Sequence, residues 1–248
     1  MRKLFFLAVM LLSVWCNAAE KNESLTPIIS ECLRKMDAIE KEFYDQLHAA
    51  KTTDDFVAVD DFLFSAKKCA STKYDNARIL DYAGELSRYS YTQSGDDDFA
   101  KSAEKTYLKA LEINTEQNEK ILWHLVLLMR QKKDYVSASY YNNRLLAMKD
   151  NLKDPLPYLK MALLLSVDLN DWQNAHLAME KIFARDKHFN QDIVLLWASV
   201  KTLCQLGDVN MARKMTLNAE ENAKFSESEK QEIDHIKTFI QSCPIKQT

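Results

Sequence analysis

Glycine and proline are scarce in this chain, at 3 and 4 of 248 residues. β-Turns draw heavily on both, so an all-β fold with many tight corners is excluded, and long helices with short connections are expected. Gly84, Gly95 and Gly207 each stand alone, so there is no glycine-rich loop to cradle a phosphate. Excess positive charge is lacking too. The formal net charge of −3 leaves no electrostatic footprint for nucleic acid and serves mainly solubility. Catalytic and metal signatures are missing as well. There is no Cys-x-x-Cys, His-Glu-x-x-His, Gly-x-Ser-x-Gly or Walker sequence. The chain therefore reads as a non-enzyme with no cofactor, no metal and no nucleic-acid partner.

What is present is apolar content. At 47% hydrophobic and 28% charged, the chain has the material for a folded core. Its longest apolar run comes first. Met1-Arg2-Lys3 is basic, Leu4 to Val14 is almost unbroken apolar, and Cys16-Asn17-Ala18-Ala19 offers small residues for cleavage. Residues 1–19 thus read as a secretory signal peptide. The run falls short of the roughly 20 residues that a membrane span requires. Bulky Trp15 directly before Cys16 argues against lipoprotein processing. No second such run follows, so the mature chain is expected to lack a transmembrane segment. Loss of Arg2 and Lys3 with the leader takes its charge from −3 to near −5. The leader has a bacterial character, which points to the periplasm. The Asn22-Glu23-Ser24 sequon is the feature that a secreted eukaryotic protein would share.

Four cysteines remain after the leader: Cys32, Cys69, Cys204 and Cys243. An even count in an exported chain predicts disulfides. Leu25 to Ala50 and Asp55 to Ser71 have helical apolar spacing and are separated by the turn-forming Thr52-Thr53-Asp54. Folding these two helices back about Lys51 sets Cys32 beside Cys69. The result is an N-terminal disulfide-linked hairpin over residues 20–73. Cys204 and Cys243 lie 39 residues apart, close to one repeat period as described next, so they are expected to pair as neighbours in a stack.

The period appears between Asp98 and Ala223. Ala103, Ala138, Ala175 and Ala212 recur at intervals of 35, 37 and 37 residues, each shortly after a large entry residue: Phe99, Tyr135, Trp172 and Val209. Such a period predicts stacked helix hairpins. Lys132-Lys133-Asp134, Asn170-Asp171 and Gly207-Asp208 supply turns, and Thr92 to Asp98 reads as a longer loop. A last helix over Ser226–Ser242 carries Ile233, Ile236 and Ile240 to cap the stack.

These cassettes resemble the tetratricopeptide repeat. The small residues where paired helices cross are Ala103, Ala138, Ala175 and Ala212, and Ala110 and Ala219 match a later small position. The glycine of the first helix is replaced by Val126, Leu163 and Val200. The resemblance implies an all-α, right-handed α-solenoid over residues 74–248, with a concave face that holds an extended peptide or a partner helix. In that register Trp123, Lys160 and Trp197 face the groove, followed one turn on by Leu127, Leu164 and Lys201, and then by Arg130. Aromatic, aliphatic and basic groups together suit a partner with apolar and acidic side chains. The expected role is a non-catalytic adaptor or scaffold in a bacterial cell envelope. The competing structural reading packs both tryptophans between helices. The competing functional reading is a helical envelope enzyme or accessory subunit that stacks glycan on its aromatic rings; it would require a closed pocket with paired carboxylates near Trp123 or Trp197. Glu232 with His235, and Asp45 with His48, have partial metal-ligand spacing and read as surface pairs.

Overall fold

The computed structural model describes residues 36–113, 118–148, 152 and 154–244. The leader 1–19 and Cys32 lie outside the described residues, and so does the Cys32–Cys69 pairing. The described chain is all-α, with eleven α-helices and no strand. Among the described residues, no helix is long and apolar enough to cross a membrane.

Two compact units divide the chain at Lys132/Lys133. The first holds α1 (Met36–Ala49), α2 (Thr53–Lys67), α3 (Lys73–Ser94), α4 (Asp97–Ile113) and α5 (Asn118–Gln131). The second holds α6 (Tyr135–Ala147), α7 (Leu156–Asp168), α8 (Trp172–Phe183), a 3-10 turn at Phe189–Gln191, α9 (Ile193–Leu206), α10 (Val209–Asn222) and α11 (Glu227–Gln241). Residue 74, where the repeat domain is expected to open, lies in the first turn of α3, within the first unit.

Local chemistry accounts for the helix ends. Reciprocal capping boxes start α2 (Thr52 with Asp55), α3 (Thr72 with Asp75) and α11 (Ser226 with Glu229). A second device recurs along the chain. The described residues with left-handed backbone are Gly95 (φ 69°), Lys133 (φ 59°), Asn170 (φ 58°) and Gly207 (φ 83°), so the steps are 38, 37 and 37 residues. Each of the last three is followed by an aspartate N-cap, Asp134, Asp171 or Asp208, whose carboxylate accepts from an amide three residues on. The repeat is therefore written into the turns as well as into the buried alanines.

The loop expected over Thr92–Asp98 is shorter than its composition implies. Helix α3 continues to Ser94, Gly95 caps it in the left-handed conformation, and α4 begins at Asp97. Hydroxyls that favour turns elsewhere are used inside the helix here. Thr92 Oγ1 donates to the Arg88 carbonyl at 3.0 Å and Ser94 Oγ to the Ser90 carbonyl at 2.8 Å.

In the first unit, Ile39, Phe43 and Leu47 of α1, Val59 and Leu63 of α2, and Ile79, Tyr82 and Leu86 of α3 form one core. Helix α3 is central, since α1, α2, α4 and α5 all pack against it. It has little solvent face left, so charged as well as apolar side chains on it are buried. In the second unit, α7 pairs with α8 and α9 with α10, α6 packs on α7, and α11 covers α9 and α10 with Ile233, Ile236 and Ile240. Ala138, Ala175 and Ala212 are fully buried. Cys204 and Cys243 form a disulfide with Cα atoms 5.4 Å apart, as their spacing predicts.

Candidate functional site

All seven residues placed on the groove by sequence register are partly exposed, while their neighbours on the same helices are buried. On α5 of the first unit, Trp123, Leu127 and Arg130 form a strip at i, i+4 and i+7 beside buried Leu122, Leu125 and Val126. In the second unit, Lys160 and Leu164 lie on α7, with Trp197 and Lys201 on α9, the helix packed next to it. Leu163, Leu196 and Val200 form the buried layer of these two helices.

The second-unit strip has a defined centre. The Lys201 ammonium lies 4.9 Å from the centroid of the Trp197 ring, a cation–π arrangement. Phe239 of α11 meets Trp197 edge to face, with centroids 4.9 Å apart and an interplanar angle of 88°. Trp197 and Leu164 also rest on the apolar core, so each has one side packed and one side open. Packing and exposure are both real for Trp197. Lys160 lies 3.6 Å from Asp186, which offsets part of the basic character of α7.

A second cluster escaped the sequence reading. Helix α3 carries Arg78, Asp81, Glu85 and Arg88 on one face, and Asp81 and Glu85 are almost wholly buried. His124 Nδ1 lies 2.6 Å from Asp81 Oδ1 and 3.9 Å from Glu85 Oε1. The Tyr107 hydroxyl of α4 donates to Glu85 Oε1 at 2.5 Å, and Arg88 grips both oxygens of Glu85 at 2.7 and 2.9 Å. One turn earlier, Arg78 donates to Glu40 at 2.5 Å and to Asp37 and Tyr82, while Lys120 of α5 pairs with Glu40 and lies 3.7 Å from Asp81 Oδ2. Four helices, α1, α3, α4 and α5, are tied through one polar network. The available signal is the spacing i, i+3, i+7 and i+10 of two acids flanked by two arginines along α3. The adjacent apolar stripe of Ile79, Tyr82, Ala83, Leu86 and Tyr89 is the stronger helical pattern in this segment.

Electrostatics in this network follow from burial and pairing. Burial works to raise the Glu85 carboxyl, but the Arg88 hydrogen bond and the His124 charge outweigh it and hold the group below its ordinary range. Glu40 is likewise depressed, with burial overcome by Lys120 and Arg78. Burial, followed by the nearby carboxylates, pushes the Tyr44 and Tyr107 hydroxyls well up. These phenols stay protonated, and Tyr107 acts as a donor. Asp81, Glu85, Tyr107 and His124 are buried at the centre of the cluster, while Asp37, Glu40 and Lys120 form its partly open edge. Its chemistry is that of a charged clamp between helices, where removing one member strands the others.

No group of three or more His, Cys, Asp or Glu side chains that could hold a metal ion is found among the described residues. His235 lies 3.7 Å from Glu232 on an exposed surface. His48 turns to the Tyr89 hydroxyl at 3.0 Å. No protein-family model, curated protein or solved structure matches this chain.

Proposed function

We propose that this protein is a non-catalytic binding module, an adaptor or scaffold of the bacterial cell envelope, built as a tetratricopeptide-like α-solenoid. Export by the leader 1–19 would place it in the periplasm. Its partner is a protein segment, an extended peptide or a helix, presenting apolar and acidic side chains to the strip on α5 of the first unit or to the strip on α7 and α9 of the second. The supporting observation is the division of side chains on these helices. Every residue of the expected binding row is partly open, directly beside a row that is closed, and the open row combines Trp, Leu, Lys and Arg. Trp and Arg are among the residue types enriched at anchoring positions of protein interfaces.

The glycan reading calls for a closed pocket with paired carboxylates near Trp123 or Trp197. Asp81 and Glu85 are buried side by side, but their oxygens are taken up within the protein, by His124 on Asp81 and by Arg88 and Tyr107 on Glu85, and neither residue lines the clefts bordered by α4. This observation favours the protein-binding reading.

The test is an array of helical peptides bearing leucine and glutamate four residues apart, titrated against the mature protein by fluorescence anisotropy. Trp123→Ala should weaken the best binder of the first-unit strip about tenfold, and Trp197→Ala that of the second-unit strip, each the loss of one anchor of over 1 kcal/mol. Trp197→Phe keeps the contact with Phe239 and provides a folded control. Undiminished binding by either folded alanine variant would reject the assignment of its strip.

A further inference from the structure

Helix α11 closes the end of the second unit with Ile233, Ile236 and Ile240. An adjacent face of the same helix stays open. His235 is exposed and Phe239 partly so, one turn apart. In register they continue both rows of the strip on α7 and α9. Lys160, Trp197 and His235 follow one another at steps of 37 and 38 residues, and so do Leu164, Lys201 and Phe239. A step of 38 already separates two of the left-handed turns, Gly95 and Lys133.

The contacts agree with this register. The Phe239 ring meets that of Trp197 with centroids 4.9 Å apart. Cys243, shortly beyond Phe239, is bonded to Cys204, which lies beyond Trp197 on α9. Helix α11 therefore runs alongside α9 in the same direction. Leu164, Trp197 and Phe239, one from each of three helices, rest on the same core and are each partly open. The charges differ along the strip. Lys160 lies 3.6 Å from Asp186, and His235 lies 3.7 Å from Glu232. Lys201 lies over the Trp197 ring and has no ion-pair partner among the described residues.

These side chains also choose between an extended and a helical occupant. An extended segment brings an amide N–H with every residue, and Leu, Trp, Phe and Lys side chains offer it no acceptor. A helix satisfies its own amides and presents only side chains. Resting on the protein-binding reading, we propose that α11 is the third wall of the second-unit strip, and that this strip takes an amphipathic helix, with an apolar side chain seated on Leu164, Trp197 and Phe239 and a carboxylate at Lys201.

The experiment titrates the mature protein with the helical peptides bearing leucine and glutamate four residues apart. The tightest binder that Trp197→Ala weakens is carried into NMR. Intermolecular cross-peaks are expected from its leucine methyls to the rings of both Trp197 and Phe239. Phe239→Ala should weaken it about tenfold, as the loss of one anchor does. The Cys204–Cys243 bridge keeps α11 attached in this variant, and hydrogen exchange at Ile236 checks that it stays seated. Phe239→Leu retains an apolar contact with Trp197 and should weaken the peptide less. Lys201→Gln should remove the preference for glutamate over glutamine in the peptide. Cross-peaks to Trp197 with none to Phe239, full binding by folded Phe239→Ala, a glutamate preference that survives Lys201→Gln, or tighter binding of the same side chains on a proline-broken peptide would each overturn this proposal and leave the protein-binding reading standing. Absence of any peptide whose binding depends on Trp197 would overturn both.

Discussion

Gly84 of α3 faces the ring of Tyr107 on α4 with no space for a methyl group, and a Cβ built there would overlap the ring carbons. The two helices pack over most of their length at this point, and Tyr107 is fully buried. Its ring cannot swing aside freely, because its hydroxyl is held by Glu85 at 2.5 Å. Gly84→Ala is expected to destabilise the first unit by about 1–3 kcal/mol, as overpacking does, despite the better helix propensity of alanine. Urea denaturation measures this. Adding Tyr107→Leu, which vacates the ring position, should make the Gly84→Ala substitution close to neutral in a double-mutant cycle.

Lys133 and Asn170 occupy left-handed positions that Gly207 fills at no steric cost. Lysine has a Cβ and no side-chain carbonyl to favour this conformation, whereas asparagine tolerates it. Lys133→Gly should stabilise the protein by about 0.5–1 kcal/mol, and Asn170→Gly by less. Gly207→Ala should cost about 1 kcal/mol, because φ 83° suits only glycine. Thermal unfolding of the three variants ranks them, and the opposite order would refute the strain argument.

Those turns also show what could be read beforehand. Asn170-Asp171 and Gly207-Asp208 are turn pairs by composition, and Lys132-Lys133-Asp134 joins them only through the period. The alanine row was legible because small residues recur where helices cross. The polar network was not. Local pattern places Arg78, Asp81, Glu85 and Arg88 on a hydrophilic face, and charged faces ordinarily meet water. Their burial depends on α5 bringing His124 and Lys120 to α3, a contact between segments about 40 residues apart that no local periodicity encodes. The partial exposure of Trp123, Leu127 and Arg130 on α5, and separately of Lys160, Leu164, Trp197 and Lys201 on α7 and α9, agrees with their register. That Trp197 also carries Phe239 on its edge required the placement of α11.

Glu85 makes the first unit acid-sensitive. Its folded carboxyl titrates below the ordinary value of 4.5. Its bonds to Arg88 and Tyr107 therefore contribute fully above that pH and are lost as pH falls through the lower, folded value. Glu85→Gln should lower stability at neutral pH by about 3 kcal/mol, since Arg88 would be left buried with its charge uncompensated. The difference between wild type and Glu85→Gln should shrink as pH drops below about 4.5, where protonation removes from the wild type the charge that the variant already lacks. Urea midpoints measured from neutral pH to pH 3 test this, and a gap that widened on acidification would contradict it.

The Cys204–Cys243 disulfide joins α9 to the end of α11 across 39 residues of sequence. The segment it closes contains α10 and α11, and its unfolded conformations are restricted by the bridge. The chain-entropy relation gives about 4 kcal/mol for a loop of this length. Without the bridge, α11 is held by Ile233, Ile236, Ile240 and the contact of Phe239 with Trp197. These contacts suffice to seat the helix, but not to keep it seated as firmly. Reduction, or Cys204→Ser with Cys243→Ser, should therefore lower the urea midpoint and accelerate hydrogen exchange at Ile233, Ile236 and Ile240 before the amides of α7. The two treatments should give the same exchange pattern at these positions, because each removes the same constraint. An unchanged midpoint, or exchange that rises first in α7, would show that α11 does not depend on the bridge.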